Sequence, residues 1–278
     1  MRWIRLDLEY DGTKFLGWQK QPQGRVVQGV LEEVLSLLFQ KETRVQGAGR
    51  TDAGVHAMAQ CARFHTVSCI PLKGLVHRLN ELLPEDVSVW RAWEVDEDFH
   101  PRYSVQRKTY VYLLRGHVFR SPLWDRYAWR PCVRHLDLDS MVDACCFLQG
   151  EHDFRSFSCE RDPGQRTLRR LDRCAIQEIF PGTWKVVLQG PGFLNRMARM
   201  IVGTLVEVGR GKKTVAEVER FLEEPVGGSA GPAAPARGLY LSEIAYPSPW
   251  NEEGDRPRWP ERFSGPGVFP IASFMGPC

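Results

Sequence analysis

No apolar stretch among the 278 residues approaches the roughly 20 needed to cross a membrane as a helix. The opening residues, Met1-Arg2-Trp3-Ile4-Arg5-Leu6-Asp7, lack the uninterrupted apolar core of a secretory signal. Charge of one sign is not in excess either: 37 Lys and Arg against 34 Asp and Glu leave a formal net charge of +3. Any contact with nucleic acid must therefore be built locally. The eight cysteines, at 61, 69, 132, 145, 146, 159, 174 and 278, contain no Cys-x-x-Cys pair, and no cluster of His and Cys has zinc-ligand spacing. Neither a metal centre nor a disulfide framework is expected. Thiols of this kind suit a reducing compartment, so a cytoplasmic protein with no membrane partner is the expectation.

What is present reads as an α+β chain. Hydrophobic residues make up 43% and charged residues 26%, and the length suits one large domain or two ordinary ones. Ile4, Leu6, Leu8 and Tyr10 alternate, which predicts a half-buried strand. Asp11-Gly12-Thr13 then turns the chain into a loop, Lys14 to Gln21, of aromatics, amides and lysine. Phe15 and Trp18 there suit base stacking or anchoring in the core equally well. Val27, Val30, Leu31, Val34, Leu35 and Leu38 follow helical spacing. Strands are predicted at 43–46 and 58–65. Pro71 opens a second helix, Pro84 stops it, and Val87, Val89, Trp93 and Val95 alternate in the next strand. This order is a ferredoxin-like half, β-α-β-β-α-β.

The plan then repeats, although the sequence does not. Residues 106–115 predict a strand. Asp139 caps a helix carrying Met141, Val142, Cys145 and Leu148, ended by Gly150. Residues 168–179 and 183–189 read as a hairpin across Phe180-Pro181-Gly182. The apolar series Leu194, Met197, Ala198, Ile201, Val202, Leu205 and Val206 predicts a helix closed at Gly209. A short helix over 214–223, a Gly/Pro/Ala loop over 225–237 and a strand from Gly238 to Tyr246 complete it. The expected organisation is two halves, 1–104 and 105–246, and a Pro/Gly-rich tail, 247–278. Within that tail 247–267 reads as a solvated linker, whereas Phe269, Ile271 and Phe274 are expected to dock on an apolar groove.

The densest chemistry lies in Gly49-Arg50-Thr51-Asp52-Ala53-Gly54-Val55-His56-Ala57. It falls between two predicted strands, in a loop of the kind where scaffolds present reactive groups. A tight turn with a solvated Arg-Asp pair would account for Asp-Ala-Gly taken alone. The whole nonapeptide resembles the signature of the tRNA pseudouridine synthase A (TruA-type) family, in which this aspartate is catalytic. More matches follow in order: Tyr10-Asp11-Gly12-Thr13, Gly17-Trp18-Gln19, Val27-Gln28-Gly29, and Leu79-Asn80-Glu81-Leu82-Leu83-Pro84. Later come Asp98-Phe99-His100-Pro101-Arg102, Lys108-Thr109-Tyr110-Val111-Tyr112, Phe193 to Arg199 followed by Ile201-Val202-Gly203, and Gly238-Leu239-Tyr240-Leu241. The resemblance spans about residues 3–246. Departures are Pro101 for Ala, Ala198 for Val, and Asn195 where a basic or aromatic residue is common.

The resemblance implies two ferredoxin-like (RRM-like) halves whose sheets merge around a central catalytic cleft, the pseudouridine synthase fold. It implies conversion of uridine to pseudouridine at nucleotides 38, 39 and 40 of the tRNA anticodon stem-loop, by a homodimer with tRNA lying across both subunits. The glycosidic bond moves from N1 to C5, nothing is oxidised, and no cofactor is chemically required. Asp52 matches the catalytic aspartate, needed ionised as nucleophile or as an anion handling C1′ and C6. Arg199 matches the arginine with which the family supports its catalytic aspartate, a cation of the kind that keeps a carboxylate charged in a dry pocket. Tyr110 matches the active-site tyrosine, whose ring replaces lost base stacking and whose hydroxyl could move a proton at C5. Arg50 and His56 are expected to contact substrate or phosphate, and Lys14, Lys20, Arg25 and Arg50 to build a basic groove. Arg196 is expected on the same helix face as Arg199 as a surface residue, and His100 and Arg102 in structural or backbone contacts. Two rivals stand beside this reading: a non-catalytic RNA-binding protein on the same fold, and a hydrolase using Asp52 and His56. No second carboxylate or oxyanion motif supports the latter.

Overall fold

Alternation in the first strand sets the layout. β1 (Arg2–Tyr10) buries Ile4, Leu6 and Leu8 completely on one face and carries Arg5 and Asp7 on the other. The structure, a computed structural model, describes residues 1–131, 135–159, 164 and 166–251. The docking expected for Phe269, Ile271 and Phe274 thus lies outside the described residues.

α1 (Val27–Phe39) buries Val27, Leu31, Val34 and Leu35, four members of the stripe expected of it. β2 is only Gln46–Gly47, because Thr43 and Val45 give their N–H groups to Ser36 Oγ and Glu32 Oε1 of α1 rather than to a ladder. β3 (His56–Thr66), α2 (Leu72–Leu82) and β4 (Val87–Val95) complete the first half. The second contains β5 (Arg107–Arg115), α3 (Leu138–Leu148), the hairpin β6 (Gly150–Asp153) with β7 (Leu168–Leu171), β8 (Arg173–Phe180), β9 (Thr183–Gly190), α4 (Met197–Gly209), α5 (Val215–Glu223) and β10 (Leu239–Ala245).

One sheet runs β4-β1-β3-β10-β5-β9-β8, with β2 beside β3. Leaving out the β6–β7 hairpin, each half has its strands in the spatial order fourth, first, third, second, the ferredoxin-like arrangement. The halves merge where β10 pairs parallel to β3, Tyr240 opposite His56 and Leu241 opposite Ala57. β2 pairs with β3 farther along, at Arg63 and Ala62, so the same edge serves both partners. The merged sheet therefore joins at the strand end that leaves the 49–56 loop. Its helix-covered face holds the main core, Tyr110, Tyr112 and Leu114 included; Val111 and Leu113 turn to a smaller cluster under Tyr127 and Ala128.

Three local expectations are corrected. The cap of α3 is Asp137, which accepts from Ser140 N, and Asp139 lies inside the first turn. The strand expected over 168–179 is two strands: β7 leaves the main sheet to pair with β6, and β8 pairs with β9. α4 begins at Met197, after a turn in which Arg196 takes φ 60°. Leu194 is buried by that turn and not by the helix, so its apolar spacing continues through a bend. Arg196 therefore does not share a helix face with Arg199. Among the described residues no helix is long and apolar enough to cross a membrane.

Candidate active site

The loop from Ala48 to His56 is fastened from several sides. The first loop supports it from below, with Phe15 and Trp18 each only 2% exposed. Their rings anchor that loop in the core and are not open for base stacking. Trp18 N donates to Thr51 O at 3.1 Å, and Gly54 N to Phe15 O at 3.1 Å. Between them Gly17 has φ +99°, and a Cβ there would lie 2.5 Å from Thr51 O. Only glycine brings the two backbones so close. Tyr10 Oη meets Thr51 Oγ1 at 2.8 Å, and Gln60 Nε2 donates to Gly49 O at 2.9 Å.

Asp52 is presented by this loop with its side chain 28% exposed. Arg199 Nη1 reaches it from the first turn of α4 and donates to Oδ2 at 2.9 Å. Arg199 is itself aimed by Ala234 O, which accepts from Nε at 2.7 Å. The rest of α4 is almost entirely apolar and buried, so the arginine has little freedom to point elsewhere. Asp52 Oδ1 has no hydrogen-bond partner among the described residues. The carboxylate is thus held through one oxygen by the Arg199 guanidinium and has the other available.

Tyr110 stands on β5, 7% exposed, its ring edge-on to Phe193 with centroids 4.9 Å apart. Burial raises its phenol above the ordinary tyrosine value, and the nearby Tyr10 and Asp52 push it the same way. A phenol held protonated suits stacking and hydrogen-bond donation and does not suit a resident base. Tyr112, on the same face, is fully buried and gives its hydroxyl to Pro235 O at 2.7 Å. The structure separates the two tyrosines where strand period cannot.

The remaining expectations divide. Arg50 is exposed and gives Nε to Gln19 Oε1 at 3.1 Å, which leaves its other donors facing solvent. His56 is only 3% exposed, stacked on Tyr240 at 4.8 Å, with Nδ1 accepting from Gly12 N at 3.1 Å. It does not fit the expected substrate contact, because the β3–β10 junction encloses it. Arg25 makes a bidentate pair with Asp86 at 2.7 Å and covers the Phe15 ring, and Lys20 pairs with Glu32 at 3.0 Å. The basic groove expected there is partly neutralised, leaving Lys14 and Arg50. His100 accepts from Arg102 N at 3.1 Å and caps its own turn.

The groups that sequence reasoning missed are chiefly fastenings. Ala234 O is main chain and carries no side-chain signal. Asp11, which accepts from Tyr127 Oη at 3.0 Å, belonged to a quoted motif but had no partner visible 116 residues away. Burial opposes its charge, but the neighbouring His56 ring, 3.1 Å away, and the hydrogen bonds that Thr13 N and Oγ1 donate hold its carboxyl well below the ordinary range. A cavity of about 630 Å³ between Trp3, Phe39, Arg63 and His65 lies toward the far end of β3 and contains none of these groups.

The family described as tRNA pseudouridine synthase matches residues 8–104 and 144–247. A protein named tRNA pseudouridine synthase A from Geobacter sp. (strain M21) is 42% identical over 248 residues, 89% of this chain and 100% of that one. One of the same name from Caldicellulosiruptor saccharolyticus is 39% identical over 246 residues, 88% and 100%. A third, from Myxococcus xanthus, is 40% identical over 243 residues, 87% and 91%.

Proposed function

The chain belongs to the tRNA pseudouridine synthase family, and from that premise we propose that it isomerises uridine to pseudouridine at positions 38, 39 and 40 of the tRNA anticodon stem-loop. The observation that carries the catalytic assignment is the Asp52–Arg199 pair, one partner from each half, with one carboxylate oxygen held and the other without a partner among the described residues.

In the reaction the N1–C1′ bond breaks, the uracil turns, and a C5–C1′ bond forms. The hydrogen on C5 leaves as a proton and N1 gains one, so the composition of the nucleotide is unchanged. Asp52 is the nucleophile, and Arg199 aims its carboxylate. Tyr110 faces the base that has left its stack and, as a protonated phenol, donates a hydrogen bond to it. Arg50 contacts the RNA backbone beside the flipped nucleotide. The two halves divide at 104 and 105, a boundary supported by the repeated strand order. The active form is a cytoplasmic homodimer, as the family resemblance implies.

Pseudouridine mapping in tRNA from cells lacking the protein tests the assignment. Loss at 38, 39 and 40, restored by the wild-type chain, is expected. Unchanged modification at those positions would refute it.

A further inference from the structure

One fastening of the Asp52 loop is a half-buried cation. Lys108 lies on β5 two residues before Tyr110, on the same strand face. Its ammonium donates to Ala48 O at 2.8 Å. Ala48 is wholly buried and its own N–H is taken by Cys61 O at 2.8 Å, so that carbonyl is a fixed point at the root of the loop. Among the described residues this is the one hydrogen bond from β5 to residues 48–52. Arg199 aims the Asp52 carboxylate, but it comes from α4 and fixes nothing on β5. A neutral donor could hold the same carbonyl at a lower desolvation cost. A charge-assisted bond is shorter and stiffer, which suits a spacer between two reacting groups.

We propose that Lys108 is a positioning residue, whose charged bond to Ala48 O sets the separation between Tyr110 on β5 and Asp52 in the loop. This rests on the pseudouridine synthase reading above. Lys108 touches neither uracil nor ribose and acts through the loop. Burial, aided by repulsion from Arg102, pulls its ammonium down to about 8, and Cys61 acts weakly in the opposite direction. Those two are the ionisable groups facing it; its strand partners, Ile244 on β10 and Gly190 on β9, have none. The tether therefore loses its charge as pH rises through about 8.

Single-turnover tritium release from tRNA carrying [5-³H]uridine, with tRNA affinity measured beside it, tests this for wild type, Lys108→Met and Lys108→Arg between pH 6.5 and 9.5. Relative to Lys108→Met, the wild-type rate should fall as pH passes about 8, whereas Lys108→Arg, which stays charged, should show no such fall. Lys108→Met should be slower than wild type by about tenfold or more below pH 8, with the gap narrowing above it and tRNA affinity near wild type throughout. Ionisation of uracil would act on all three proteins alike. Identical wild-type and Lys108→Arg profiles, a wild-type rate for Lys108→Met, or a loss explained by weaker tRNA binding would each overturn the proposal. If Lys108→Met does not fold, the first comparison decides alone. A wild-type protein that releases no tritium at pH 7 would instead overturn the catalytic reading.

Discussion

Tyr110 and Tyr112 are two residues apart on one face of β5, and period-2 alternation treats them alike. Their surroundings do not. The Tyr112 hydroxyl is used up on Pro235 O, whereas that of Tyr110 has no partner among the described residues. If the Tyr110 ring mainly replaces stacking lost by the flipped base, Tyr110→Phe should retain most of the single-turnover rate and Tyr110→Ala should lose it. Equal losses would assign the work to the hydroxyl, and wild-type rates in both would remove Tyr110 from the site. At this scale the sequence made identities legible but not partners. Asp52 and Arg199 were readable from their motifs, yet the 2.9 Å bond between them joins residues 147 apart. His56 reads as reactive in a loop of small residues, and only the β3–β10 junction shows why it is enclosed.

Elements were legible where periodicity and packing agree. α1 follows its stripe, and α5 falls where a short helix is expected, with Thr214 and Glu217 forming its capping box. Boundaries failed where a bend keeps the apolar spacing, as at Leu194 to Arg196. They failed too where one run serves two sheets, as at β7 and β8, because a strand's partners are not encoded in its own alternation. The first loop shapes the Asp52 loop through backbone contacts. A methyl group at Gly17 would meet Thr51 O and would require an unfavourable φ of +99°. Gly17→Ala should cost about 1–3 kcal/mol and lower the melting temperature by several degrees. Turnover should fall with it, since Thr51 precedes Asp52. A variant with wild-type melting and turnover would show that this contact does not shape the loop.

On the scale of the whole molecule, the Asp52 loop of the first ferredoxin-like half meets Arg199 of the second, and the proposed centre adds Tyr110 of the second. The merged sheet was legible as a resemblance, but the parallel β3–β10 seam that creates it involves only two residue pairs and has no sequence signature. With a net charge of +3, affinity for tRNA must come from local cations. Even three phosphate contacts would weaken binding by about forty-fold between 50 and 200 mM salt, so a flat dependence of log affinity on log salt would contradict an RNA-backbone interface. The central claim is that the carboxylate held between the halves performs the chemistry, and Asp52→Asn isolates it because volume is kept and charge is lost. Single-turnover pseudouridine formation by Asp52→Asn, measured at saturating tRNA with binding checked in parallel, is the most direct test. The account predicts near wild-type binding with a rate below about a thousandth of wild type, and a rate clearly above that level would contradict it.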